Sequence, residues 1–96
     1  MTPTISVRHD KISDATREYI EKACEKFGQF YDRIVECDVV VEKQKKGTQV
    51  EIVLKVPHQT LTASCLEENL YKAVDAAKER METQLKKYHD KNVAHR

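Results

Sequence analysis

The sequence predicts an α+β domain with the element order βαβββα, because two kinds of hydrophobic periodicity follow one another along its 96 residues. Apolar residues recur at every second position in four segments, as in strands with one buried face. They recur at every third or fourth position in two other segments, as in amphipathic helices. One helical segment follows the first strand and the other follows the last. We therefore expect a four-stranded sheet with both helices packed on one of its faces.

The first strand and the first helix are predicted from the N-terminal third of the chain. Residues 4–9 alternate between apolar and polar side chains, which favours a short half-buried strand. Ser13 occupies the position of a helix N-cap, and Asp14 places a negative charge at the positive end of the helix that follows. The apolar stripe of this helix reaches Phe27, and we expect the helix to end at Gly28.

Three further strands are predicted between the two helices. Residues 35–43 and 49–56 alternate in the same way, and Gly47 between them can adopt the positive φ of a tight hairpin turn. Pro57 ends the second of these strands, and the alternation resumes over residues 59–65. The short connections favour an antiparallel meander, whose polar face is either solvated or bound to a partner. That polar face is expected to carry Glu36, Asp38, Glu42, Thr62 and Ser64.

A long helix is predicted from about residue 67 to residue 91, which is about seven turns at 3.6 residues per turn. Its charged residues separate by sign when successive residues are placed about 100° apart around the axis. One arc is basic and carries Lys72, Arg80, Lys87 and Lys91. A second arc is acidic and carries Glu68, Asp75, Glu79 and Glu82. This separation gives up the i,i+4 ion pairs that stabilise a solvated helix face.

The first helix repeats the arrangement, with Lys22 and Lys26 on one flank and glutamates on the other. Two such helices, packed side by side, would join their basic flanks into one surface that suits a phosphate backbone. The alternative is that these charges only solvate the helices. The net charge of +1 speaks against binding of nucleic acid by bulk attraction, but residues 72–96 hold seven basic and four acidic side chains. Because the aromatic residues fall on core stripes, we expect recognition of phosphate and shape rather than of bases.

Several classes of protein are disfavoured by the composition. The chain has two glycines and shows no glycine-rich phosphate loop, no nucleophile elbow and no pair of histidines at metal spacing. We therefore expect no enzyme, no catalytic residue, no metal and no cofactor. The sequence has neither a signal peptide nor a run of about 20 apolar residues, so we expect a cytoplasmic protein without a membrane partner. The cysteines lack C-x-x-C spacing and are interpreted as reduced core residues: Cys24, Cys37 and Cys65.

Two segments carry a resemblance to a known family. They read DATREYIEKACEKFGQFYDRI at residues 14–34 and ENLYKAVDAAKERMETQLKKYHDK at residues 68–91. Their most specific parts are the Arg-Glu-Tyr run at 17–19, the aromatic-aromatic-Asp-Arg corner at 30–33 and the Leu-Tyr-x-Ala-Val-Asp run at 70–75. Together with the βαβββα order, they make nearly the whole chain resemble the family of ribosome hibernation promoting factors and ribosome-associated inhibitors, also called the sigma-54 modulation proteins.

The resemblance implies a fold similar to a double-stranded RNA-binding domain and a role in stationary phase or stress. It implies binding to the 30S subunit and its 16S rRNA, in the channel of messenger RNA and the A- and P-site transfer RNAs, and inhibition of translation by steric occupancy. The chain resembles the short form of the family, because little sequence follows the long helix. The short form promotes 100S dimers of 70S ribosomes together with a second small protein, ribosome modulation factor.

Three alternatives stay open. The chain could be an inhibitor that holds 70S monomers inactive, a protein-interaction module that uses the polar sheet face, or an enzyme without a recognisable site. We expect one ribosome-binding domain over residues 1–96, with an ordered core at about 4–91 and a short tail at 92–96, and a monomer off the ribosome.

The predicted RNA-binding residues have two origins. The resemblance implies RNA contacts for Lys26, Arg33, Arg80, Lys87 and Lys91. The helical geometry adds Lys22, Lys72 and Lys86. Thr83 stands where the family often has a basic residue, so one phosphate contact of the family is expected to be missing.

Overall fold

The computed structural model describes residues 2–93, and the side chains of residues 2–90, as a four-stranded sheet with helices on one face. The predicted α+β class is confirmed. The elements in chain order are β1 (Thr4–Arg8), α1 (Asp14–Glu25), α2 (Phe27–Phe30), β2 (Glu36–Gln44), β3 (Gly47–Val56), β4 (Gln59–Glu67) and α3 (Leu70–Val93).

The strands lie in the sheet in their order along the chain, β1-β2-β3-β4. β1 pairs with β2 in parallel, which requires the helical crossover through α1 and α2. β2, β3 and β4 form the predicted antiparallel meander, with Cys37 opposite Leu54 and Ile52 opposite Ala63. The sheet therefore leaves β1 and β4 as its two edges.

The first helix differs from the prediction at its C-terminal end. α1 stops at Glu25, and after Lys26 the chain continues as the short helix α2, which contains Gly28. Lys26 keeps a right-handed helical backbone (φ −64°, ψ −23°), so the chain tightens without leaving the helical region. Gly28 does not take the positive φ of a glycine cap, and α2 ends where Tyr31 becomes extended. The prediction that the helix ends at Gly28 was wrong.

The long helix begins and ends later than predicted. β4 extends to Glu67, and Asn69 caps α3 by accepting a hydrogen bond from the backbone N–H of Lys72 at 2.9 Å. α3 continues to Val93, so part of the tail predicted at residues 92–96 is helical. The rest of that tail, residues 94–96, lies outside the described residues, as does the side chain of Lys91.

The core lies between the inner face of the sheet and the helices. The fully buried side chains with the largest volumes include Phe27 in α2, Ile52 and Leu54 in β3, and Met81 and Leu85 in α3. The three cysteines are free thiols buried in this core, as predicted. No helix among the described residues is long and apolar enough to cross a membrane.

The Cys24 thiol is buried against β2. A hydrogen bond with the thiol of Cys37, together with burial, raises the pKa of Cys24 above its usual value. The neutral thiol is therefore the stable form, which suits a packing role rather than a nucleophilic one.

Gly47 fixes the turn between β2 and β3. Its φ is 147°, and a Cβ there would collide with the backbone carbonyl of Glu67. We expect Gly47→Ala to lower the free energy of unfolding by about 1–3 kcal/mol, because the strained backbone and the clash add. Gly28→Ala is the matched control, since a Cβ at that position meets no atom within 4 Å. Urea unfolding of both variants tests this, and equal stabilities would contradict the role of Gly47.

Candidate nucleic-acid interface

Aromatic contacts align α1 and α3 side by side. The Tyr19 hydroxyl donates a hydrogen bond to Asp75 at 2.5 Å, and the rings of Tyr19 and Tyr71 meet edge to face with centroids 4.9 Å apart. The hydrogen bond to Asp75 raises the pKa of Tyr19. Thr16 and Tyr71 join their hydroxyls at 3.1 Å. The N-terminal halves of the two helices therefore lie next to each other.

A second aromatic contact holds the corner after α2 against the C-terminal half of α3. The Tyr31 and Tyr88 rings meet edge to face with centroids 5.2 Å apart, and the Tyr88 hydroxyl donates to the carbonyl of Pro57 at 2.8 Å. Burial and the interaction with Tyr31 raise the pKa of Tyr88, and the charge of Arg33 acts in the opposite direction. Arg33 is exposed and lies close enough to Tyr88 for its charge to act there.

One flank of α3 faces the edge strand β4. Arg80 donates a hydrogen bond from Nη1 to the carbonyl of Ser64 at 3.0 Å, and Gln84 donates from Nε2 to the carbonyl of Thr62 at 2.7 Å. Lys87 lies on the same flank, beside a shallow depression that Gln84 also lines. The side chains of α3 thereby occupy two backbone acceptors that an edge strand would otherwise expose.

The other flank of α3 faces α1 and α2. Lys86 lines a shallow depression there with Phe30 of α2 and with Glu79, Glu82 and Thr83 of α3. Lys26 lies between α1 and α2, and its side chain is exposed. On this flank, Lys86 therefore lies beside two carboxylates, those of Glu79 and Glu82.

Two of the predicted residues pair with the glutamate four residues earlier in the chain, within α1 for Lys22 and just before the start of α3 for Lys72. Lys22 lies 3.7 Å from Glu18, and Lys72 pairs with Glu68 one turn away. The hydrogen bond between Lys72 and Glu68 lowers the pKa of Glu68 and raises the pKa of Lys72. Both pairs are exposed, so a polyanion could displace the carboxylates at little cost.

The structure gathers part of the predicted site at one end of the helical layer. Lys26 precedes α2 directly, Arg33 follows it by three residues, and Lys86 faces it from α3. Lys87 and Arg80 lie on the flank of α3 that faces β4. These five side chains have no ion pair within the described part of the chain. We call them the cationic end: Lys26, Arg33, Arg80, Lys86 and Lys87.

The basic flanks of the two helices do not join into one uninterrupted surface. Glu79 and Glu82 lie between α2 and the ridge of α3, and Arg80 and Lys87 lie beyond that ridge. Sequence reasoning found the arcs but missed Gln84, which shares the flank of Arg80 and is bound to the β4 backbone. Its position four residues after Arg80, on the same arc, was the available signal.

The opposite face of the sheet is predominantly acidic. The structure places the predicted polar residues there, and Glu36 pairs with Lys55 at 2.8 Å, which raises the pKa of Lys55. Two half-buried valines, Val40 and Val53, interrupt the polar side chains. The carboxylates of this face are Glu36, Asp38, Glu42 and Glu51. In the described part of the chain, no group of three or more His, Cys, Asp or Glu side chains is arranged to hold a metal ion.

Arg80 has a structural bond as well as a predicted RNA contact. We expect Arg80→Ala to lower the free energy of unfolding by about 0.5–1.5 kcal/mol, because the Ser64 carbonyl loses its partner. Lys87→Ala is the control, since it removes a neighbouring exposed charge without such a bond and should change stability by less than about 0.5 kcal/mol. Urea unfolding measures both, and an Arg80→Ala variant as stable as Lys87→Ala would contradict the anchoring role.

The fold and this surface define an α+β domain with a cationic end on its helical layer and an acidic sheet face. A family model described as "Sigma 54 modulation protein / S30EA ribosomal protein" matches residues 4–93, and the chain belongs to this family. The resemblance predicted from the two helical segments is confirmed.

Named relatives match over nearly the full length. The chain is 28% identical to the ribosome hibernation promoting factor of Pseudomonas putida, covering 95% of this chain and 89% of the relative. It is 30% identical to the ribosome-associated factor Y of Haemophilus influenzae, covering 100% of this chain and 90% of the relative. The solved ribosomal subunit interface protein of Coxiella burnetii superposes with a TM-score of 0.85 at 30% identity, covering 92% of this chain and 97% of that one.

Proposed function

We propose that this chain is a ribosome hibernation factor that binds small-subunit rRNA through the cationic end. The observation that carries the proposal is that five Lys and Arg side chains without ion pairs in the described structure lie beside α2, at the corner after it and along α3 from Arg80 to Lys87. The names of the relatives, a ribosome hibernation promoting factor and a ribosome-associated factor, support the ribosome as the target.

The proposed contacts are to phosphates. Lysine and arginine side chains at this end are spaced over two helices and a corner, which suits the backbone of folded RNA better than the edge of a single base. Phe30 is 38% exposed beside Lys86, but no exposed aromatic pair on the sheet offers a base-stacking platform in the described residues. Recognition therefore depends on shape and charge.

Inhibition by occupancy follows from this mode of binding. A rigid domain with a radius of gyration of 13.5 Å that neutralises phosphates in the channel of messenger and A- and P-site transfer RNA would exclude those ligands without any chemistry. We propose further that the bound state favours 100S dimers, together with ribosome modulation factor, rather than inactive 70S monomers. The two outcomes differ in the assembled particle and not in the contact with rRNA.

A second candidate function uses the acidic sheet face. Its four carboxylates and the central pair Val40 and Val53 would suit a basic protein partner with apolar side chains. Raising the salt concentration would weaken binding at either surface, because both interactions are partly electrostatic. The two functions are therefore distinguished by the ligand that binds. Naked rRNA fragments of the small subunit would bind the cationic end and would not bind the acidic face.

Sucrose-gradient sedimentation tests the proposal. The protein is added to 30S subunits, 50S subunits and 70S ribosomes, and its distribution and the appearance of 100S particles are measured with and without ribosome modulation factor. We expect co-sedimentation with 30S and 70S particles that weakens as salt rises. If four phosphates are neutralised, affinity should fall about a hundred-fold between 50 and 200 mM salt, at a slope of about 0.9 per contact. Absence from the 30S fractions at low salt would reject the proposed function.

A further inference from the structure

A cavity of about 320 Å³ lies where α1 and α3 begin, beside the turn between β2 and β3. It lies at the opposite end of α3 from Lys86, which faces α2. Its walls combine apolar side chains, among them Val41 and Leu70, with polar groups. Its volume falls at the lower end of the range of small-molecule sites, which is about 300–1,000 Å³.

Two helix N-termini meet at this cavity. Ser13 accepts a hydrogen bond from the backbone N–H of Thr16 at 3.1 Å, and Asn69 accepts one from the backbone N–H of Lys72 at 2.9 Å. Each cap satisfies one of the first-turn N–H groups, and others in each first turn have no acceptor within the helix. The positive ends of a helix of 12 residues and one of 24 residues are therefore directed at the same space.

Thr48 provides a polar group on the floor of the cavity. It is the single buried polar residue among those described, with 7% of its surface exposed, and it lies on the inner face of β3. Its hydroxyl has no hydrogen-bond partner among the described residues. Every fully enclosed polar side-chain atom among them does have a partner, so the Thr48 hydroxyl is not fully enclosed. The Thr48 oxygen therefore keeps an accessible surface, and that surface opens into the cavity.

The charges around the cavity leave it receptive to an anion. Asp10 pairs with Lys43 at 3.0 Å, and Glu68 pairs with Lys72, so each carboxylate in the wall is matched by an ammonium group. The backbone N–H of Lys11 and the ammonium of Lys43 lower the pKa of Asp10. The ammonium of Lys11 has no ion pair among the described side chains and adds an uncompensated positive charge to the wall.

We infer that this cavity binds a terminal phosphate, that is, a phosphomonoester carried on a small organic group. First-turn N–H groups, the Thr48 hydroxyl and Lys11 would contact the phosphate oxygens, and the apolar wall would take the organic group. The phosphate could belong to a free nucleotide or to the 5′ end of an RNA. The inference does not rest on the proposed function, because none of the five bases of the cationic end lines this cavity.

An NMR titration of the full chain tests the inference. Amide spectra are recorded with inorganic phosphate, with adenosine 5′-monophosphate and with adenosine. We expect both phosphates to shift the amides of Asp14, Ala15, Leu70 and Tyr71, and adenosine alone to leave them unchanged. A short RNA with a 5′-phosphate, compared with the same RNA with a 5′-hydroxyl, identifies which source binds.

Thr48→Val supplies the decisive variant, because valine keeps the volume and removes the hydroxyl. Affinity for the nucleotide should fall about ten-fold, the effect of one lost hydrogen bond to a charged group. Thr62→Val is the control, since Thr62 lies on the exposed face of β4. The amide spectrum reports at once whether each variant is folded. Unshifted first-turn amides with every phosphate probe, or equal affinity in Thr48→Val and the wild type, would overturn the inference.

Discussion

Reversing two charges, Lys86→Glu with Lys87→Glu, is expected to release the protein from the small ribosomal subunit at physiological salt. Each lysine that neutralises a phosphate contributes about 0.9 to the slope of log affinity against log salt, so the slope should fall by about two. The new carboxylates would in addition repel the RNA. The two side chains lie on opposite flanks of α3, so the variant affects both parts of the cationic end.

Charge reversal at Lys86 and Lys87 is expected to preserve the fold, whereas a substitution of Arg80 would also remove a structural hydrogen bond. Arg80 is bonded to the β4 backbone, whereas Lys86 and Lys87 are exposed and have no ion pair among the described residues. Lys45→Glu with Lys46→Glu is the matched control, because it changes the net charge equally in the exposed turn between β2 and β3. Co-sedimentation with 30S subunits measures both variants. Equal loss of binding in the two would show that net charge, and not the cationic end, governs the affinity.

Local sequence signals predicted most of the fold. The N-cap at Ser13 was predicted from residue type and position alone, and its side chain does accept the Thr16 N–H. The alternation of β2, β3 and β4 was readable because one face is buried throughout, so every second residue had to be apolar. The end of the first helix could not be predicted from the glycine alone, because the buried Phe27 begins a second short helix that includes Gly28.

The arrangement of the site depended on tertiary contacts that periodicity does not contain. Helical periodicity predicts which residues share an arc of α3, but which neighbour each arc faces is decided by Tyr19 and Tyr71 on one side and by the β4 backbone on the other. Sequence spacing could not distinguish Arg80, which is bonded to the carbonyl of Ser64, from Lys87, which has no such bond among the described residues. The partner of a long Arg or Lys side chain is a group that lies close to it in the folded structure, which sequence spacing does not give.

Thr48 shows a signal that was present and was not used. It has the same parity as Val50 and Ile52, so once β3 is extended back to Gly47 it must face the core. A polar residue in a core-facing register needs either a partner or a cavity. The predicted strand began at 49, two residues after the observed start of β3, and this difference left Thr48 outside the predicted strand.

Leu85→Ala is expected to lower the free energy of unfolding by about 2–5 kcal/mol, the largest stability effect we predict. The Leu85 side chain is fully buried, so its truncation loses the transfer free energy of the removed carbons and leaves a cavity beside Met81. Leu66→Ala is the matched control, because the same atoms are removed from a side chain that is 43% exposed on β4.

Urea unfolding should separate the two leucine variants, with Leu66→Ala within about 0.5 kcal/mol of the wild type. Leu85 also lies directly before Lys86 and Lys87, so the variant tests whether the cationic end needs a stable scaffold or only the charges. Well below its unfolding temperature, Leu85→Ala should still co-sediment with 30S subunits, because the folded molecules keep all the Lys and Arg side chains of the cationic end in place. Loss of binding by folded Leu85→Ala would mean that the packing of α3 sets the geometry of the phosphate contacts. The binding loss of Lys86→Glu with Lys87→Glu would then have to be compared with that of Leu85→Ala before it is assigned to charge.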